Sequence, residues 1–133
     1  MIKGIGHVAF RVKDLNTSVE FYTRVLCGKA VFSSTENGEV NMVYVKLANG
    51  ALVELFKSEP DAKRSESDIG FMHLSLTIDD VYEEEKRIAA TGWPTKPVRV
   101  GKYGNMQLWL SDPDGNPIEL MQLLPNYLDG KAW

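Results

Sequence analysis

Two similar segments, each beginning at a histidine and ending at a glutamate, divide the sequence into two halves. Glu54 lies 47 positions after His7, and Glu119 lies 46 positions after His73. Each histidine opens a run of alternating apolar and polar residues, and each glutamate stands among aliphatic residues shortly after a glycine. Such a repeat predicts one structural unit used twice. Because neither half is expected to bury its sheet alone, the halves are expected to pair or stack.

The pattern of apolar residues predicts a β-α-β-β-β order in the first half. The helix is expected to be capped by Asp14 or Asn16 and to end at Gly28. Asn49 and Gly50, between two apolar runs, predict a type I′ hairpin turn. The expected strands are residues 4–12, 30–35, 40–48 and 51–57, with a turn at 36–39. The expected buried helix face is Leu15, Val19, Tyr22, Val25 and Leu26.

The second half repeats this order. Its helix is expected to be capped by Asp79 or Asp80 and to end before Gly92. The expected strands are residues 71–78, 95–100, 105–111 and 117–123, with a turn at 112–115. The sequence therefore predicts an α+β fold in one domain of 133 residues. Its expected parts are module 1 at 3–57, a linker at 58–69, module 2 at 70–123 and a short C-terminal tail.

Composition narrows the class of protein. Hydrophobic residues make up 44% of the chain and charged residues 25%, which is ordinary for a globular domain. The net charge of −3 and the absence of a basic run predict neither a nucleic-acid nor a membrane partner. Cys27 is the only cysteine, so no internal disulfide forms, and a reducing, cytoplasmic location is expected. Cys27 is expected to be a small buried residue at the helix end rather than a catalytic thiol.

Strand parity predicts where the two histidines point. Successive side chains on a strand alternate between faces, so His7 shares a face with Ala9 and Arg11, opposite the apolar set. By the same rule His73 lies opposite the aliphatic residues of its strand, and both glutamates leave the helix-packed face. If the sheets curve, the four polar side chains are expected to converge.

Imidazole nitrogen and carboxylate oxygen together suit zinc, nickel, iron(II), manganese or cobalt. Considered alone, each histidine is typical of a hydrogen-bonded or surface residue. Considered alone, each glutamate is typical of a charged residue on an edge strand. Together they place two charged groups in apolar strands at repeated offsets, and glutamate is rarely buried without a partner. A divalent metal, able to act as a Lewis acid, is such a partner.

The chain resembles the vicinal oxygen chelate superfamily, which includes glyoxalase I, fosfomycin-resistance proteins, extradiol dioxygenases and bleomycin-binding proteins. The segments that carry the resemblance are residues 7–12, 21–26, the strand from His73, and 112–120. The resemblance implies a cupped sheet around one metal, helices on the outer face, and commonly a homodimer. It implies that His7, Glu54, His73 and Glu119 are the metal ligands, a set similar to that of bacterial glyoxalase I.

Substrate-binding residues follow from the same resemblance. Arg11 matches an arginine that holds a glutathione carboxylate in glyoxalase I, and Lys102 or Arg99 is expected to replace a family lysine. The segment after Glu54 departs from the family pattern, so the resemblance covers the glutathione site only in part.

Three hypotheses about function stay open at this point. The leading one is a glyoxalase-I-like lyase or isomerase acting on a hemithioacetal or related α-hydroxycarbonyl, with Glu119 as the base and Glu54 as its counterpart. The second is an iron(II) dioxygenase or another enzyme of the same superfamily acting on an unknown small molecule. The third is a non-catalytic protein that binds a small molecule or confers resistance to it.

Overall fold

The computed structural model describes residues 1–59 and 70–130, in two compact units, Met1–Asp68 and Ile69–Trp133. Each unit contains one four-stranded mixed sheet and one main helix, in the order β-α-β-β-β. The predicted α+β class and the duplicated unit are therefore confirmed. Most of the predicted linker lies outside the described residues. No described helix is long and apolar enough to cross a membrane.

The first unit consists of β1 (His7–Val12), α1 (Leu15–Glu20), a π-helical turn (Phe21–Val25), β2 (Lys29–Glu36), β3 (Glu39–Lys46) and β4 (Leu52–Lys57). Its strands lie in the order β1-β4-β3-β2. Strands β1 and β4 are parallel, and the other neighbouring strands are antiparallel. The helix α1 continues directly into the π-helical turn.

Asp14, one of the two residues predicted to cap the helix, is the N-cap of α1. Its Oδ1 accepts a hydrogen bond from the Thr17 backbone N–H at 2.7 Å. This hydrogen bond to the backbone favours the ionised carboxylate and so lowers the pKa of Asp14.

The predicted buried face of the helix is confirmed at three of its five positions. Leu15, Tyr22 and Val25 are buried together with Phe21, whereas Val19 and Leu26, at the edge of this face, are half-buried. The prediction for Cys27 was wrong. Its backbone has a φ of 55° just past the π-helical turn, and its side chain is exposed.

Ser18 carries a buried hydroxyl that has no hydrogen-bond partner among the described residues. Because a buried unpaired hydroxyl costs about 1–3 kcal/mol, and alanine favours a helix, Ser18→Ala is expected to stabilise the protein by about 1 kcal/mol. Urea unfolding measures this. The matched control is Ser34→Ala, which removes a hydroxyl that donates to Asn41 Oδ1 at 2.7 Å and should destabilise by about 1 kcal/mol. Destabilisation by Ser18→Ala would contradict the expectation.

The two hairpins of the first unit use different turns. Asn37 and Gly38 both have positive φ, at 51° and 82°, in the turn between β2 and β3. The type I′ turn predicted at Asn49 and Gly50 was wrong, because a 3-10 turn at Ala48–Gly50 joins β3 to β4. A 3-10 turn is compatible with the closing hydrogen bond from the Leu47 N–H to the Ala51 carbonyl.

The second unit consists of β5 (Leu74–Thr77), α2 (Val81–Ala90), β6 (Arg99–Val100), β7 (Asn105–Ser111), β8 (Pro117–Leu123) and a 3-10 turn (Tyr127–Gly130). Its strands lie in the order β5-β8-β7-β6, with the same mixture of parallel and antiparallel pairs. Asp80 caps the helix α2 by accepting from the N–H groups of Tyr82 and Glu83. Strand β6 is shorter than the predicted strand at 95–100, which contains Pro97, a residue with no N–H to donate to a ladder.

Candidate metal centre

The first His–Glu pair forms across the parallel strands β1 and β4. Ala9 stands opposite Glu54 in the register, so the alternate residue His7 lies on the same face as the carboxylate. His7 Nε2 is 3.2 Å from Glu54 Oε2. The imidazole is 44% exposed and the carboxylate 11%, so a buried acceptor faces an accessible ring. This half of the predicted ligand set is thus brought together within one unit.

The second unit repeats the arrangement. Ser75 stands opposite Glu119 across β5 and β8, and His73 precedes β5 by one residue. His73 Nε2 is 3.5 Å from Glu119 Oε2, and the side chains are 32% and 8% exposed. The described residues therefore contain the same pair twice, on the same kind of parallel strand pair.

An aromatic side chain packs on each histidine, a feature that the sequence analysis missed. Tyr44 lies edge-on to His7 with ring centroids 5.6 Å apart, and Trp109 lies edge-on to His73 at 4.9 Å. Each aromatic residue stands opposite the glutamate in the antiparallel register. The sequence does contain a feature that links these two residues: Tyr44 and Trp109 each precede their glutamate by ten positions.

The two carboxylates differ in their hydrogen-bond partners. Ser75 Oγ donates to Glu119 Oε2 at 2.9 Å, and Asn105 Nδ2 donates to Oε1 at 3.3 Å. In the first unit, hydrogen bonding to the Glu54 carboxylate favours the protonated phenol and raises the pKa of Tyr44. Ser75 and Asn105 were not predicted as site residues.

The separation within each pair fits two ligands of one ion. Two ligand atoms each about 2.1 Å from a metal lie about 3.0 Å apart at a right angle and about 3.4 Å apart at the tetrahedral angle. The Nε2–Oε2 distances of 3.2 and 3.5 Å are close to these values. Within each unit, no third histidine, cysteine, aspartate or glutamate of the described residues joins the pair. Each unit thus offers two ligands of the kind that a divalent ion prefers.

Arg11 lies on the same strand and face as His7, as predicted. It lines a depression of about 900 Å³ at the end of the first sheet, together with the charged residues Lys13, Lys57, Glu36 and Glu59. Lys57 Nζ is paired with Glu39 at 3.1 Å, whereas no carboxylate among residues 1–59 and 70–130 forms an ion pair with Arg11. A guanidinium in this setting suits an anionic group.

Lys102 and Arg99 occupy different surroundings. Lys102 Nζ lies 5.4 Å from the ring centroid of the adjacent Tyr103. Arg99 lies 5.7 Å from the Trp109 ring, and its Nε donates to Gln107 Oε1 at 2.9 Å. Arg99 is therefore the cation that contacts the aromatic neighbour of His73.

Comparison with known proteins identifies the family. Residues 4–120 match the profile of the Glyoxalase/Bleomycin resistance protein/Dioxygenase superfamily, which is nearly the whole chain. The chain belongs to this superfamily. The resemblance inferred from the sequence is thus confirmed, and superfamily members similar to this chain include proteins named as lyases and as thiol transferases.

Two such relatives in the superfamily are bacterial. A probable lactoylglutathione lyase of Vibrio parahaemolyticus is 34% identical over 127 residues, covering 89% of each chain. The metallothiol transferase FosB of Bacillus licheniformis is 30% identical over 122 residues, covering 90% of this chain and 75% of that protein. Among solved structures, a glyoxalase family protein of Enterococcus faecalis has a TM-score of 0.79 and 25% identity, covering 90% of this chain and 97% of that one.

Proposed function

We propose that this superfamily member is a metal-dependent lyase or isomerase of the glyoxalase I type. Two His–Glu pairs with metal-compatible spacing carry the proposal, and the relative named as a probable lactoylglutathione lyase supports it. One divalent ion, such as nickel, zinc, iron, manganese or cobalt, would take both pairs as ligands: His7, Glu54, His73 and Glu119. The pairs come from one chain or from two chains of a homodimer, and the two units together form one functional domain in a reducing cytoplasm.

The reaction proposed for this site is a proton shift on a hemithioacetal. When bound, the ion offsets the negative charge that develops on the substrate's oxygen atoms. A carboxylate of the site, from Glu119 or Glu54, takes the proton from the carbon that bears the hydroxyl group and returns it to the neighbouring carbon. The edges of Tyr44 and Trp109 limit the movement of the imidazole rings.

The anionic part of the substrate is proposed to bind cationic side chains outside the metal ligands. Arg11, in its depression beside Lys13, suits a carboxylate of glutathione. Lys102 is a second candidate for binding the anionic part of the substrate. Arg99 is an alternative to Lys102, because its guanidinium is oriented by Gln107 and Trp109.

Metal-dependent turnover tests the proposed function. Metal-free protein is expected to convert methylglyoxal only when glutathione and a metal, either nickel or zinc, are both added. The absorbance of the thioester product measures the rate. Omission of glutathione serves as the control for metal-catalysed side reactions. Metal-loaded protein that shows no turnover with glutathione would remove this substrate from the proposal.

A second candidate is thiol transfer, favoured by the 30% identity to a metallothiol transferase over 90% of the chain. A panel containing fosfomycin with several thiols separates this activity from the first. Oxygen uptake with a catechol and bound iron would instead indicate a dioxygenase. Failure of the protein to take up any metal would indicate a non-catalytic binding protein.

A further inference from the structure

The chain that follows β8 folds back over the turn that joins β6 to β7. The Leu124 N–H donates to the Gly104 carbonyl at 3.3 Å, which continues the β7–β8 ladder one step beyond the strands. Four residues later the Leu128 N–H donates to the Tyr103 carbonyl at 2.9 Å. Two consecutive carbonyl groups of the turn are therefore bound by residues 124–128, which we call the strap.

The close approach of the strap depends on the glycine at position 104. Gly104 has a φ of 84°, and a β-carbon at this position would lie 2.8 Å from the Asn126 carbonyl oxygen and 3.0 Å from its carbon. Non-bonded atoms do not pack at such distances, so a side chain here would push the strap away from the turn. Leu128 also has a positive φ, 49°, which is uncommon for leucine and directs its N–H at the turn.

The corresponding turn of the first unit lies in open space. Gly38, between β2 and β3, has a φ of 82°, and no atom of the described residues lies within 4 Å of the place that a β-carbon would take. After β4 the chain follows β1 instead, where the Ser58 N–H donates to the Val12 carbonyl at 2.9 Å. The strap is thus not a requirement of the repeated fold, and a specific role of the second unit is a reason for it.

The turn beneath the strap adjoins the second His–Glu pair. It ends directly before Asn105, whose Nδ2 donates to Glu119 Oε1 at 3.3 Å. At its other end the Gly101 N–H donates to the Asn105 carbonyl at 2.7 Å, and a β-carbon on Gly101 would collide with the Asn105 amide. The exposed Lys102 side chain projects from this turn. Movement of the turn would therefore displace Lys102 relative to the Glu119 carboxylate.

We propose that the strap fixes the β6–β7 turn so that Lys102 binds an anionic group of the substrate, with Gly104 and Leu128 as the positioning residues. This inference rests on the proposed function, in which Lys102 is a candidate for that role. The strap holds the turn through main-chain atoms, so neither bond uses the Lys102 ammonium group. A turn already held in one conformation loses less entropy when a ligand binds, which strengthens binding.

Release of the strap is tested first without any ligand. Gly104→Ala places a methyl group against the Asn126 carbonyl, and Leu128→Pro removes the donor and excludes a positive φ. Both are expected to speed amide exchange at Tyr127, whose N–H is bonded within the strap at 2.9 Å, by at least about tenfold. Gly38→Ala is the matched control, with a similar φ and no close contact. Exchange at Tyr127 that both strap variants leave unchanged would overturn the strap.

The effect on ligand binding is measured by calorimetric titration of metal-loaded protein with S-methylglutathione, an unreactive analogue of the proposed adduct. Lys102→Met, Gly104→Ala and Leu128→Pro are each expected to weaken binding about tenfold, in the range for loss of one hydrogen bond to a charged group. Leu128→Asn keeps the N–H and adopts a positive φ readily, so it should bind within about twofold of wild type.

A double variant separates positioning from a purely structural role. If the strap acts through Lys102, Gly104→Ala combined with Lys102→Met should bind the analogue no more weakly than Lys102→Met alone. Losses that simply add would overturn the proposal, because they would show that the strap affects binding by another route. Gly38→Ala should leave the affinity unchanged.

Failure of the proposed function gives a different result. A wild-type protein that neither binds the analogue nor converts a hemithioacetal overturns the proposed function and with it the role of Lys102. Amide exchange at Tyr127 still decides in that case whether the strap holds the turn. Wild-type binding that Lys102→Met leaves unchanged overturns this inference alone, and the proposed function stands.

Discussion

Replacement of either histidine by alanine is expected to abolish tight metal binding by the whole chain. If one ion takes ligands from both pairs, His7→Ala and His73→Ala should each weaken nickel binding by more than about 100-fold, since loss of a direct ligand exceeds the effect of an outer partner. Wild-type protein should bind one ion per chain, and each variant essentially none at the same free nickel concentration. Equilibrium dialysis with elemental analysis measures the stoichiometry.

The stoichiometry distinguishes a shared ion from two separate ones. If each His–Glu pair held its own ion, wild-type protein would bind two, and each single variant would retain one. That result would contradict the shared site. The control is the stability of the metal-free proteins: His7 and His73 are 44% and 32% exposed, so their replacement should leave the thermal unfolding temperature nearly unchanged.

Asp112→Ala is expected to destabilise the protein by about 4 kcal/mol. The Asp112 side chain is 3% exposed and closes the turn between β7 and β8. Its Oδ1 accepts from the N–H groups of Asp114 and Asn116 at 2.9 and 2.8 Å, and its Oδ2 accepts from Asn116 Nδ2 at 2.7 Å. Hydrogen bonds to a charged group contribute about 1.5–3 kcal/mol each, and their removal leaves buried donors unpaired. The loss is a large fraction of the stability of an ordinary domain.

Urea unfolding of the Asp112 variants measures this contribution. Asp112→Asn retains one carbonyl oxygen and should cost about half as much as Asp112→Ala. Asp79→Ala is the matched control on an exposed aspartate and should change stability by less than about 0.5 kcal/mol. A loss below about 1 kcal/mol for Asp112→Ala would contradict the role of the turn. Because the turn sets the β7–β8 register, the alanine variant should also disturb the placement of Trp109 opposite Glu119.

Strand parity was enough to predict the face on which the ligand residues lie. The alternation of side chains is a property of a single strand, so His7 and Arg11 were placed opposite Phe10 and Val12 without knowledge of neighbouring strands. The partners across strands depend on register, which one sequence does not specify. For this reason Tyr44 was not predicted as a neighbour of His7, although its spacing from Glu54 equals that of Trp109 from Glu119.

The errors in the sequence predictions have local physical causes. The buried face of the first helix was predicted correctly at Leu15, Tyr22 and Val25, and it was set too far toward Val19 and Leu26, which are half-buried. Cys27 was expected to be a small buried residue at the end of the helix, but it follows the π-helical turn with a positive φ and is exposed. Asn49 and Gly50 matched a turn motif whose geometry this hairpin does not adopt.

The hydrogen-bond partners of each carboxylate are encoded in its own half of the gene. Glu119 depends on Ser75 and Asn105, and Glu54 on Tyr44, with no residue shared between the two sets. A single codon change can therefore alter the surroundings of one carboxylate while the other keeps its own. Two carboxylates at equivalent places of a repeated fold can therefore differ in their surroundings through changes confined to one unit.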